Sequence, residues 1–216
     1  MENVKAVVLD IDGTLSPEIS WLALTRDLGE SVATHVSIYE EYKAGKIGYE
    51  ESKTRLIALW NSTGNANFSF FHDLFENLPL ADNAVSVTDT LKAKYDICLI
   101  TGSMDMYAEI VAHKLGVTKW FANTKLHWVG GSLTDMDYEL NQSARKLEQF
   151  LGFCTTNGYQ PQECIVVGDS ENDMALFEAS QRGILVSSDA TNVLSQHVWK
   201  QIPALGNLLE VIAGTV

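Results

Sequence analysis

The sequence predicts an α/β fold, a doubly wound parallel sheet of the Rossmann type interrupted by an inserted domain of helices. Apolar runs recur near residues 7, 97 and 165, and each ends abruptly in carboxylates, hydroxyls or glycine. Buried strands that deliver polar groups to the carboxyl edge of a sheet have this form. Between Pro17 and Pro79 the pattern is purely helical, and beyond Pro79 helical segments alternate with buried strands. The expected division is therefore a core of residues 1–15 and 80–216 and a helical cap of residues 16–79.

The first strand is Val7-Val8-Leu9, followed by Asp10-Ile11-Asp12-Gly13-Thr14. Continued alternation would send Asp10 and Asp12 to opposite faces, so Gly13 is expected to turn the chain and gather both acids around one point. The insertion reads as amphipathic helices with apolar positions at Trp21 to Leu28, then Val32, Val36, Tyr39 and Tyr42, then Leu56, Ile57 and Trp60, then Phe68, Phe71, Phe75 and Leu78. These stripes are expected to meet in a shared apolar centre, with 61–67 as a polar loop. Crossover helices follow at Asp82 to Lys94 and Met104 to Leu115, on either side of the strand Tyr95 to Ile100. Lys125 to Met136 reads as a hairpin turning at Gly130-Gly131.

The second strand ends in Thr101-Gly102-Ser103, hydroxyls and a free backbone N–H ahead of a helix, a setting that suits a phosphoryl group. A third strand, Cys164 to Val167, ends in Gly168-Asp169-Ser170-Glu171-Asn172-Asp173. Carboxylates clustered at a sheet edge repel unless a cation lies between them, and oxygen-only ligands favour a hard ion such as Mg2+. Lys146 opens a helix whose apolar stripe reads Leu140, Ala144, Leu147, Leu151 and Cys154. It is expected off that stripe, near the carboxyl ends of the strands.

These elements in this order, Asp-x-Asp, then a hydroxyl, then Lys, then Gly-Asp-x-x-x-Asp, resemble the signature of the haloacid dehalogenase-like hydrolases. Segments 44–50, 121–123 and 168–173 are similar to the phosphoserine-phosphatase-like branch. The resemblance implies Asp10 as a nucleophile that forms an aspartyl-phosphate. It implies Mg2+ held by the Asp10 carboxylate, the Asp12 backbone carbonyl and Asp169, with Asp173 acting through metal-bound water. Thr101, the Gly102 N–H and Lys146 would take phosphoryl oxygens, and Asp12 would be the general acid and base.

Dehalogenation needs no acid for a halide, whereas expelling an alkoxide does, so Asp12 favours a phosphatase acting on a small phosphomonoester such as phosphoserine. Phosphotransferase or phosphomutase chemistry, a receiver-like phospho-acceptor and a non-catalytic binding protein are the alternatives. Glu18 and Arg55 have the chemistry to grip an amino-acid substrate, although each is one residue from the position that the resemblance implies. Such a shift rotates a helical side chain by roughly 100°, which leaves a surface acid and a surface base as the other reading. Trp21, Tyr49 and Trp60 are candidate pocket walls, or packing within the cap.

The chain has 216 residues, 46% of them hydrophobic, and a formal net charge of −13. That charge argues against nucleic-acid or anionic-membrane partners. No signal peptide precedes the first strand and no apolar run approaches membrane-spanning length, so the expected location is cytoplasmic. Cys98, Cys154 and Cys164 are expected as reduced, buried thiols, and His35, His72, His113, His127 and His197 show no zinc spacing.

Overall fold

The computed structural model describes residues 4–139 and 141–213. Its seven strands form one sheet in the order β4-β3-β2-β1-β5-β6-β7, comprising β1 (Ala6–Leu9), β2 (Asp96–Met104), β3 (Lys119–Val129), β4 (Ser132–Tyr138), β5 (Cys164–Gly168), β6 (Gly183–Val186) and β7 (Lys200–Ile202). All neighbours are parallel except β3 and β4. Those two form the expected hairpin, which turns at Gly130 (φ 59°) and Gly131 (φ 85°), a left-handed pair suited to a tight two-residue turn.

Alternation along β1 feeds two cores. Val7 and Leu9 join a cluster with Leu99, Val167 and Tyr107, while Ala6 and Val8 join Cys98, Val166, Phe150 and Phe153. Helices α5 (Ala84–Lys92) and α6 (Asp105–Leu115) cover the first face, and α7 (Gln142–Asn157) and α8 (Met174–Ser180) the second; α9 (Leu208–Ala213) adds to the first. This is the expected doubly wound arrangement. The sheet also extends through β6 and β7, which the sequence pattern did not single out.

Between β1 and α5 the chain forms α1 (Ser20–Asp27), α2 (Val32–Lys43), α3 (Tyr49–Asn61) and α4 (Phe68–Asn77). Their crossing points are tied together, since Ser16 Oγ donates to the Pro79 carbonyl (3.0 Å) and Ala81 N–H to the Leu15 carbonyl (2.9 Å). The apolar centre of these helices is continuous with the sheet's first face, because Leu24, Trp60, Phe71 and Phe75 belong to the same cluster as Leu9 and Tyr107. The insertion also grips the hairpin, where Phe68 N–H meets the Gly131 carbonyl (2.7 Å) and Leu133 N–H the Ala66 carbonyl (3.0 Å).

Two helical stripes differ from the expected ones. On α7 the buried residues are Lys146, Gln149, Phe150, Phe153 and Cys154, whereas Ala144 and Leu151 are exposed and Leu147 is half-buried. Leu140 lies outside the described residues. Lys146 thus lies on the inward face, because a pair of carboxylates waits there. On α2 the buried residues are His35 and Ile38; of the predicted stripe Val32, Val36, Tyr39 and Tyr42, Val32 is half-buried and the other three face an open cavity.

Candidate active site

Strand order places β1 at the centre, with β2 on one side and β5 on the other, so the connections from β1 run in opposite directions. Such a switch point opens a crevice at the carboxyl ends of the strands, and Asp10, Thr101 and Asp169 all lie there. Asp10 keeps the alternation of Ala6 and Val8 and so points to the α7 side. Its Oδ2 lies 3.0 Å from Lys146 Nζ, and its Oδ1 accepts the Ile11 N–H at 2.8 Å.

Lys146 is 1% exposed and contacts Asp173 Oδ1 at 2.8 Å as well. Burial opposes its charge, but Asp10 and Asp173 outweigh that penalty and hold its pKa raised. Asp173 is fixed in turn by the Asp169 N–H (3.2 Å) and the Ser170 N–H (3.3 Å), which both donate to Oδ2. Lys146 is therefore a buried hinge between two acids, with both partners held by the backbone.

Gly13 turns the chain with φ 74°. A Cβ there would sit 2.1 Å from Asp169 Oδ2, so only glycine lets the loop approach that carboxylate. The turn brings Asp12 back over the site, where its Oδ2 accepts from Ser20 Oγ at 2.7 Å. Asp12 Oδ1 is buried without a partner. Ser20 Oγ also bonds Ser103 Oγ, so the first residue of α1 joins the Asp12 loop to the end of β2.

Thr101 is fully buried and its Oγ1 accepts the Ser103 N–H at 3.1 Å. Strand β2 continues through Thr101-Gly102-Ser103 with a register shift against β3, so these residues form the irregular end of a strand. Gly102 lies against Gln142, whose side-chain oxygen would be 2.9 Å from a Cβ at that position. Asn123 holds that oxygen through Nδ2 at 2.6 Å.

Burial pushes the Asp10 carboxyl up, and Asp173 adds to the rise against the pull of Lys146. Burial and then Asp10 push Asp12 up to about 7, while Ser20 pulls it down. Burial, Asp10 and Asp173 push Asp169 up to about 8. Four carboxylates thus face one ammonium, and the uncompensated charge is what a bound cation would relieve. Ligand oxygens of Asp10, Asp169 and Asp173 all lie within 4.8 Å of one another. An oxygen-only set of this kind fits a hard divalent ion such as Mg2+.

A cavity of about 850 Å³ opens over these groups. Asp10, Asp12, Thr101, Gly102, Lys146 and Asp169 line it, together with Trp21 and Tyr138. Trp60 is instead fully buried in the core, and Tyr49 packs on Tyr138 with ring centroids 4.7 Å apart.

Glu18 and Arg55 are placed elsewhere. Glu18 bonds Arg26 at 2.8 Å beside a separate shallow depression, and Arg55 bonds Glu41 at 2.8 Å on an exposed face. Neither lines the cavity, so the structure does not bring them together with the other candidate site residues. Glu18 precedes α1 and Arg55 lies on α3, and each side chain is paired with a nearby opposite charge. Sequence reasoning missed Ser20, Gln142 and Asn123. A serine opening a helix reads as a cap, and nothing local marks it as a partner of Asp12.

The family model for haloacid dehalogenase-like hydrolases matches residues 4–180. The phosphoserine phosphatase of Methanocaldococcus jannaschii is 22% identical over 198 residues, 91% of this chain and 91% of that protein. That of Wolinella succinogenes is 28% identical over 184 residues, 83% of this chain and 86% of the relative. The phosphoserine phosphatase of Archaeoglobus fulgidus is 24% identical over 83% of this chain, and the chain spans 52% of that relative's length. A substrate-bound phosphoserine phosphatase complex superimposes with a TM-score of 0.77 at 21% identity, covering 98% of this chain and 99% of the other. At that identity the likeness establishes the fold. With the matched family spanning every strand from β1 to β5, the chain belongs to the haloacid dehalogenase-like hydrolases.

Proposed function

We propose that this phosphatase hydrolyses a small phosphomonoester with Mg2+ through an aspartyl-phosphate on Asp10. The observation that carries the reading is the convergence of Asp10, Asp12, Asp169, Asp173 and Lys146 at one strand switch point, under a cavity. Phosphate monoesters resist hydrolysis because the phosphoryl group is anionic and the alkoxide leaves poorly. Each obstacle has a residue suited to it.

Asp10 is held by Ile11 N–H and Lys146 so that one carboxylate orientation is fixed before substrate arrives. Its oxygen would attack phosphorus while the bond to the ester oxygen breaks. Asp12, raised to about 7, would give its proton to the departing oxygen and then take one from the water that cleaves the aspartyl-phosphate. The Ser20 hydroxyl keeps the Asp12 carboxyl in place between the two steps. Thr101 Oγ1, the Gly102 N–H and Lys146 Nζ would take phosphoryl oxygens. Mg2+ held by the Asp10 and Asp169 carboxylates and the Asp12 carbonyl, with Asp173 through water, would neutralise phosphoryl charge.

Residues 16–79 act as a cap in this reading, joined to the core of 1–15 and 80–216 at the paired crossing points Ser16 and Pro79. The relatives named above are phosphoserine phosphatases, which supports a small phosphorylated substrate. Among the described residues no helix is long and apolar enough to cross a membrane. The test is phosphate release from a panel of phosphomonoesters with Mg2+ or with excess chelator, for wild type and Asp10→Asn. Turnover that needs both Mg2+ and Asp10 supports the proposal. A folded wild type with no sustained turnover on any ester would leave a receiver or a binding protein.

A further inference from the structure

The apolar stripe of α2 does not pack in the core. Val36 is 41% and Tyr39 52% exposed, and both line the cavity over Asp10. Across from them stand Trp21 and Leu22 on α1, Leu56 on α3 and Tyr138 at the end of β4. Exposed apolar surface gathered on one concave wall, beside the groups that handle phosphate, is a binding feature.

Apart from Lys146, the charged residues on that wall are acidic. Its ionisable residues are Asp10, Asp12, Glu139, Asp169 and Glu171, with Lys146 as the cation, and Lys146 is already bound to Asp10 and Asp173. His35 also lines the cavity, but burial lowers its pKa to about 4, which leaves the ring neutral near pH 7. Arg55 is tied to Glu41, and Lys53 lies between Glu50 (3.2 Å) and Asp135 (3.1 Å) away from the lining. Among the described residues that line the cavity, Lys146 is the one cationic side chain and is already paired, so a substrate carboxylate against the apolar wall would meet no cationic partner in the lining and its desolvation would go uncompensated.

We infer that the leaving group of the substrate is an uncharged, bulky apolar or aromatic alcohol, rather than an amino acid that carries a carboxylate. The inference rests on the phosphatase reading and narrows it. The cavity has room for such a group beside the phosphate, since pockets of about 300–1,000 Å³ enclose small organic ligands. Aromatic walls would stack on it, with the ring of Trp21 edge-on to that of Tyr138 at 6.3 Å.

The test measures kcat/KM with Mg2+ for 2-phenylethyl phosphate, O-phosphoethanolamine and L-phosphoserine. Their leaving groups are all unactivated alcohols. p-Nitrophenyl phosphate serves as a control for phosphatase activity itself. The expected result is a preference of about tenfold or more for 2-phenylethyl phosphate over both other esters. Trp21→Ala should shrink that preference, and Val36→Arg, at an exposed helical position, should shift the ratio about tenfold toward L-phosphoserine by supplying a carboxylate partner. Turnover of p-nitrophenyl phosphate with L-phosphoserine preferred, or a ratio that Val36→Arg does not move, overturns the inference and leaves the phosphatase intact. A preference for O-phosphoethanolamine overturns it in favour of a cationic leaving group. No turnover of any of the four esters overturns the phosphatase reading instead.

Discussion

Replacing Asp12 with Asn tests whether this carboxyl is the proton donor. Asn keeps the size and can still accept from Ser20 Oγ, which lies 2.7 Å from Asp12 Oδ2, so the loop and its tie to α1 should survive. What disappears is the proton. Burial and the Asp10 charge raise Asp12 to about 7, so near neutral pH about half of the molecules carry it. A positioned general acid is worth about 10²- to 10⁴-fold, or about 3–5 kcal/mol of barrier, when the leaving group is an unactivated alkoxide. p-Nitrophenolate departs with little help, so its loss should be a few-fold. In the wild type, the alkyl phosphate should therefore lose kcat/KM as pH rises through about 7 and Asp12 deprotonates, while the aryl phosphate stays nearly level across that window. Steady-state phosphate release on both esters provides the measurement. Equal losses on the two substrates in Asp12→Asn, with matching pH profiles in the wild type, would refute the acid role.

Lys146→Met should leave two buried carboxylates without their counter-charge and cost about 3–5 kcal/mol, a fall in Tm of roughly 6–20 °C; an unchanged Tm would contradict the buried ion-pair account. Gly13→Ala would place a Cβ 2.1 Å from Asp169 Oδ2 at a φ of 74°. The strain of about 1–2 kcal/mol and a displaced Asp169 should weaken Mg2+ by about tenfold or more, read from the Mg2+ dependence of turnover. His35 has its pKa lowered from 6.5 to about 4 in the fold, so the unfolded chain binds the extra proton first as the medium is acidified. Stability from this site is intact above pH 6.5 and is lost as pH falls toward 4, by about 3 kcal/mol in all. Urea unfolding of wild type and His35→Asn at both ends of that window should show this difference in slope, and parallel losses would refute it.

The strand ends were legible because each combines an apolar run with an abrupt polar stop. Asp10, Thr101 and Asp169 follow directly from that pattern, and Gly13 from the need to turn between two acids. The helical stripes were less legible, since periodicity reports an apolar face without saying what covers it. On α2 the stripe Val36-Tyr39-Tyr42 walls a cavity, and His35 and Ile38 supply the packing. On α7 a lysine counts as polar in any hydropathy pattern, yet Lys146 is buried because two carboxylates make its inward position favourable. Ser20 and Ser103 are far apart in sequence, and their contact depends on how α1 folds over β2. Glu18 and Arg55 show the reverse case, where suitable chemistry near the right spacing ends in surface pairs with Arg26 and Glu41.

In the proposed mechanism Asp10 becomes phosphorylated during turnover. Quenching the enzyme during steady-state turnover with Mg2+ and treating it with borohydride reduces an aspartyl-phosphate to homoserine, which peptide mass spectrometry then locates. The expected result is homoserine at position 10 in the wild type, dependent on substrate and absent from Asp10→Asn. Turnover with no modification at position 10, or with the modification at Asp12 or Asp169, would contradict it.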